Sequence, residues 1–194
     1  MIKILYIPFQ NILCNSKIYN VIVPTYIIKK MVNEKKAHII FIILRISLAL
    51  IFLWAFFDKL LGLGFATKPE NAWILGKSPT IGFLSNAVHG PFKEVYNSIA
   101  GNLVVDWLFM IGLLFIGLSL LFGIFMNLAC YSGALMMFLM WTSLLPPENH
   151  PFLDDHVIYL LALIILKKVN AGDIFGLGKK WKKIKLIKEY KIFQ

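Results

Sequence analysis

The stretch from Leu103 to Leu145 leaves this chain few ways to fold. Its one charge is Asp106, near the start. Two nearly unbroken apolar runs, 103–125 and 128–145, meet at Met126-Asn127. A bilayer core of about 30 Å is crossed by roughly 20 apolar residues, each rising about 1.5 Å. The first run reaches that length and the second nearly does. The pair therefore reads as a transmembrane helical hairpin that turns at Asn127. A soluble chain of 194 residues has too little protein to bury so long an apolar stretch. The chain reads as an integral membrane protein.

Composition agrees with this. Hydrophobic residues make up 59% and charged residues 15%, and the mean hydropathy is +0.74. The net charge of +10 is gathered at the two ends, in Lys-rich stretches at 3–36 and 167–191. Basic ends around an apolar middle point to anionic lipid headgroups, and no nucleic-acid recognition motif accompanies them. Cys14 and Cys130 form no CxxC pair, and Cys130 sits inside an apolar run as a small core residue would.

Residues 1–30 mix apolar pieces with Pro8, Asn11, Asn15, Asn20 and Pro24. Met31 then opens Met31-Val32-Asn33-Glu34-Lys35-Lys36, an ordinary-looking start before a membrane helix. Translation is expected to begin at Met31; otherwise 1–36 is a peripheral or loosely ordered arm. A four-span membrane domain follows at 37–169, and 170–194 forms a basic cytoplasmic tail with Trp181 as an interface anchor.

Ala37–Phe57 is the first expected span. Its one full charge, Arg45, either snorkels to lipid phosphate or anchors a polar headgroup or a partner carboxylate. Residues 60–101 are too long for a structureless loop, so short interfacial or re-entrant helices are expected there, including one near Lys93–Ala100. Gly112, Gly117 and Gly123, with Ser132-Gly133-Ala134, suit close helix approach. Met136, Met137 and Met140 read as adaptable packing. The fourth span, Val157–Val169, is short and is capped by Asp154-Asp155. The expected fold is all-α: an integral membrane four-helix bundle with a long outer loop containing short interfacial helices.

The lysine asymmetry places both termini in the cytoplasm and loops 60–101 and 146–156 outside a cell membrane. Trp54, Trp107 and Trp141 then fall at the outer interface. Asp58, Asp106, Asp154, Asp155 and His156 converge on the outer ends of spans one, two and four. Helix caps and headgroup-level charges account for Asp154 and Asp155; Asp106, a few residues into its span, has no such explanation. Carboxylates crowded at an apolar boundary can also accept protons. Asp155-His156 with His150 and His89 matches no standard metal-site spacing, and no catalytic triad, phosphate loop or dinucleotide motif is present.

These pieces together resemble the DoxX family of membrane proteins. The resemblance rests on Leu44-Arg45, Phe57-Asp58-Lys59-Leu60, Gly62-Leu63-Gly64, Gly76-Lys77-Ser78-Pro79-Thr80, Gly82-Phe83-Leu84 and Asp106-Trp107. It continues through Leu145-Pro146-Pro147-Glu148, Leu153-Asp154-Asp155-His156 and Gly176-Leu177-Gly178 with Trp181, covering about 38–181. It implies a four-helix bundle. It also implies redox work, because the related DoxD-type subunit belongs to a thiosulfate:quinone oxidoreductase. On that reading the chain is a subunit of a quinone-linked membrane oxidoreductase system, with oxidoreductase partner subunits and a quinone between the spans. Asp106, Asp58, Asp154, Asp155 and His156 would handle protons, and Arg45, Lys59 and Trp107 would contact the quinone or its surroundings. The rival reading is a non-enzymatic membrane scaffold or small-solute carrier whose charges are caps and partner contacts.

Overall fold

The long apolar runs become helices here, and the helix that starts at Leu103 ends where Gly123 takes a left-handed backbone. The computed structural model of the chain describes residues 16–148, 150–184, 187 and 189–193. Helix α1 is Ser16–Leu61, α2 Ile81–Asn86, α3 Lys93–Ser98, α4 Leu103–Phe122, α5 Met126–Ser143 and α6 Asp155–Lys168. Two single turns, α7 (Ala171–Ile174) and α8 (Gly178–Trp181), follow. Short 3-10 turns lie at Pro69–Asn71, Trp73–Leu75 and Lys191–Phe193. No strand occurs among the described residues.

The chain divides into two units, Met1–Ile40 and Phe41–Gln194. In the first, residues 1–15 lie outside the described residues, and so does that part of the expected arm. From Ser16 onward the first unit is helical, so helix begins well before the expected start at Ala37. In the second, the remainder of α1 supplies Leu48, Ala49, Phe52 and Phe56 to one apolar core with α4, α5 and α6. Met110, Ile116 and Leu120 of α4 and Leu163 and Leu166 of α6 are completely enclosed in it.

Small residues set the helix spacing. Gly117 of α4 faces Leu53 of α1, where an added Cβ would come within 2.7 Å of the leucine Cγ. Gly133 of α5 sits between Ile116 of α4 and Leu163 of α6, and Gly112 faces the Met136 methyl. Cys130 is buried in the same core.

Two helices are long and apolar enough to cross a membrane, Ala37–Leu61 and Leu103–Phe122. Only 33% and 39% of their spanning windows are buried. The remainder turns Leu50, Ile51, Trp54, Leu108 and Ile111 outward. A helix that is apolar on its exposed side as well as its buried one is matched to lipid rather than water. α5 is more polar, with Asn127, Ser132 and Thr142, and α6 has 14 residues, shorter than a typical span.

The long connection is built as anticipated, from short helical pieces. α3 falls within the expected 93–100. Asn102 starts α4 by accepting from the Val104 and Val105 amides at 2.9 and 3.4 Å. The α4–α5 turn runs through Gly123 and Phe125, both left-handed. The tail folds back onto it: the Trp181 ring lies 4.4 Å from that of Phe125, and its indole N–H donates to the Phe193 carbonyl at 2.7 Å. Ile187 is buried, while Leu186 lies outside the described residues.

Candidate functional site

The expected carboxylates do lie at one end of the helices, yet each is held by its own local partners. Asp58, near the end of α1, is 2% exposed and accepts from the amides of Phe65 and Ala66 at 3.2 and 3.0 Å. Asp106, one turn into α4, is 4% exposed and accepts from the hydroxyls of Ser78 and Thr80 at 2.8 and 2.5 Å. Ser78 Oγ in turn accepts from the Ile81 amide at 3.1 Å, so Asp106 fixes the start of α2. Asp154 caps α6 through the Val157 amide and pairs with His156 Nδ1 at 2.7 Å. Asp155 is exposed in the first turn of α6. Among the described residues, no group of three His, Cys, Asp or Glu side chains is disposed to hold a metal ion.

A slot of about 550 Å³ runs beside Asp106 rather than around the carboxylates. Its walls are the facing surfaces of α4, from Val105 to Ile116, and α5, from Ser132 to Ser143. Thr80, Phe83 and Leu84 of the α2 region, with Tyr96 of α3, close it at the loop end. Eleven residue steps along α4 make it about 16 Å long. Leu108, Leu135 and Leu139 line it and are also exposed, so it opens sideways between α4 and α5. An elongated, mostly apolar cavity with a few polar groups suits a lipid-soluble ligand.

Lys59 is the charged member of that lining, with its ammonium 5.8 Å from the centre of the Phe109 ring. Among the described residues it makes neither of the ion pairs found. It also borders a second, wider groove of about 730 Å³ along α1, floored by Leu50, Trp54 and Phe65. Trp107 points away from the slot, half-exposed, and packs edge-on against Trp73 with ring centres 4.8 Å apart. Of the residues singled out in the sequence, Lys59 therefore lines the slot and Asp106 touches it through Thr80. Asp58, Trp107, Asp154, Asp155 and His156 do not line it.

Arg45 is elsewhere, against the C-terminal end of α4. It is 0% exposed, and its Nη1 donates to the Ala171 carbonyl at 3.1 Å. Its Nε and Nη2 have no partner among the described residues. The guanidinium is enclosed rather than extended to a lipid phosphate. Gly123 and Gly176 leave the room for it, and Gly172 and Gly178 let the neighbouring backbone close in on Gly123. A cation at the carbonyl end of a helix is favourable by about 0.3–2 kcal/mol, which offsets part of its desolvation.

Comparison with protein-family models, curated proteins and solved structures gave no match. The site is thus read from its own chemistry. Sequence reasoning did not single out the hydroxyls of Thr80, Tyr96, Ser132 and Ser143 that line the slot. The one local signal was the Ser78-Pro79-Thr80 turn ahead of an apolar piece, which gives no indication of its partner on α4.

Proposed function

We propose that the chain is a four-span integral membrane protein of DoxX type that holds a lipid-soluble quinone in the α4–α5 slot. In this reading α5 and α6 complete the bundle, both termini are cytoplasmic, and the basic tail meets anionic headgroups. The chain serves a membrane oxidoreductase system as a subunit, as the DoxX resemblance implies; the lack of an electron-carrying motif in its sequence favours the scaffold or carrier reading. The observation that carries the reading is the slot itself: apolar, elongated and open sideways between two helices, with its charged group toward the loop end and the far-end Ser132 hydroxyl bonded back to its own helix. A quinone bound there would supply two-electron, two-proton chemistry, with the electrons coming from a partner subunit. Lys59 offers an ammonium to an acceptor oxygen. Thr80 stands between the slot and Asp106 and donates its hydroxyl to Asp106 Oδ1, which links the carboxylate to the cavity wall.

The scaffold or carrier reading draws on a different observation. Asp58, Asp106 and Asp154 each accept hydrogen bonds that hold a loop or a helix start, which is a structural use of a carboxylate. The two readings part on one experiment. Protein purified in mild detergent is extracted for quinone, and its oxidised-minus-reduced ultraviolet spectrum is recorded. Near-stoichiometric quinone, reduced in amount by filling the slot, is the expected result. Retained lipid without quinone would favour the scaffold or carrier.

A further inference from the structure

The slot has several polar groups, but nearly all their protons are already used. Thr80 donates to Asp106, Ser143 to the Met140 carbonyl at 2.7 Å, and Ser132 to the Leu128 carbonyl at 2.8 Å. Tyr96 lies 2.9 Å from the Leu139 carbonyl and 2.6 Å from Thr142 Oγ1, which occupies its proton as well. Lys59 differs. Among the described residues its three ammonium hydrogens meet no hydrogen-bond acceptor or carboxylate partner, only the face of Phe109. Asp58, its neighbour in sequence, attracts it through space but makes no ion pair with it among the described residues, and that carboxylate is anchored by the Phe65 and Ala66 amides.

The donors free for a ligand are thus all on one cation, and that cation sits toward the loop end of the slot. Beyond Phe109 the walls are Gly112, Ile116, Leu135 and Met136, with Ser132 turned back on its own helix. A buried acceptor oxygen needs a donor, and an anionic one gains most from an ammonium. An apolar tube about 16 Å long accepts a chain and offers nothing to a second polar head.

We infer that the slot binds a single-headed amphiphile whose acceptor oxygen rests on Lys59 and whose chain runs along α4 and α5 toward Ser132. The inference rests on the slot being the ligand site, as proposed above, and adds how the ligand is recognised and which way it lies. A quinone carbonyl with its tail and a long-chain carboxylate share this chemistry.

The test uses the full chain in detergent micelles and three probes: a decyl-substituted benzoquinone, dodecanoate and dodecanol. Wild type should bind the quinone and the carboxylate more tightly than the alcohol. Lys59→Met should weaken both by about tenfold or more, while Lys59→Arg should keep them within about threefold, since a charge-assisted bond is lost in one and kept in the other. Ser132→Phe, which fills the far end, should shift preference from dodecanoate to octanoate with the Lys59 dependence intact. Dodecanoate binding that depends on Lys59, with no quinone binding, would sustain this inference and remove the quinone function. Quinone binding untouched by Lys59→Met would overturn the inference and leave that function standing. Binding of no probe, or a chain-length preference unmoved by Ser132→Phe, would overturn the slot as the site described.

Discussion

The guanidinium of Arg45 occupies the space that a side chain at Gly123 would need. A Cβ at Gly123 would overlap Nη1, and one at Gly176 would lie 3.1 Å from the same atom and 2.7 Å from the Phe122 carbonyl oxygen. Gly172 and Gly178 close the opposite side; a Cβ on Gly172 would come within 2.5 Å of the Gly123 carbonyl. The Leu177 amide donates to the Phe122 carbonyl at 2.9 Å, tying the segment before α8 to the end of α4. A single buried cation and four glycines thus lock the end of α4 to the segment after α6.

Gly123→Ala should therefore be costly for two reasons. Its φ of +72° is left-handed, which alone costs about 1–2 kcal/mol for alanine. The added methyl also displaces Arg45. In thermal unfolding in mild detergent, Arg45→Met combined with Gly123→Ala should lose less stability than the sum of the two single changes, with coupling of about 0.5–3 kcal/mol. Simple additivity would count against the contact.

Asp106 holds the start of α2 through Ser78 and Thr80. Asp106→Ala strands both hydroxyls beside α4 and should cost about 1–3 kcal/mol. Amide hydrogen exchange should quicken across residues 76–86 and remain slow in the middle of α4. Asp106→Asn keeps an acceptor oxygen and should exchange more like wild type. Uniform acceleration through α4 would mean that the carboxylate supports the helix rather than the loop.

His89 clasps the loop between α2 and α3 to the segment after α5. Its ring nitrogens lie 3.1 Å from the carbonyls of Ala87 and Pro146, and its own amide donates to the Ser143 carbonyl at 3.2 Å. Two carbonyl acceptors are met in full only by the imidazolium. The Pro146 carbonyl first, then that of Ala87, with Glu148 adding a weaker attraction, raises its pKa above the ordinary histidine value. The clasp is accordingly complete below about pH 6.5 and weakens as pH rises through the raised value. Limited proteolysis of the 87–92 loop should accelerate with rising pH in wild type, and His89→Gln should remove that dependence. Gly90→Ala should open the loop at every pH, because its Cβ would overlap the Leu145 carbonyl oxygen.

The helices were legible in the sequence because apolar length and helix-ending residues are local properties. The run after Leu103, the short helix near Lys93, the cap at Asp154 and the close packing at Gly117 and Gly133 all follow from neighbours along the chain, whereas the turn expected at Asn127 falls at residues 123–125 and Met126-Asn127 opens α5. The placement of Asp58 and Asp106 at helix ends was legible for the same reason. Their partners were not, since Ser78 and Thr80 reach Asp106 across more than twenty intervening residues and only the folded loop brings them together. Arg45 is the sharpest case. Sequence identifies a charge that must be compensated inside an apolar helix, but the compensation comes from the Ala171 carbonyl and the room from two distant glycines, Gly123 and Gly176. The slot beside Lys59 belongs to the same class: its shape is the gap between α4 and α5, which exists only once both helices are packed.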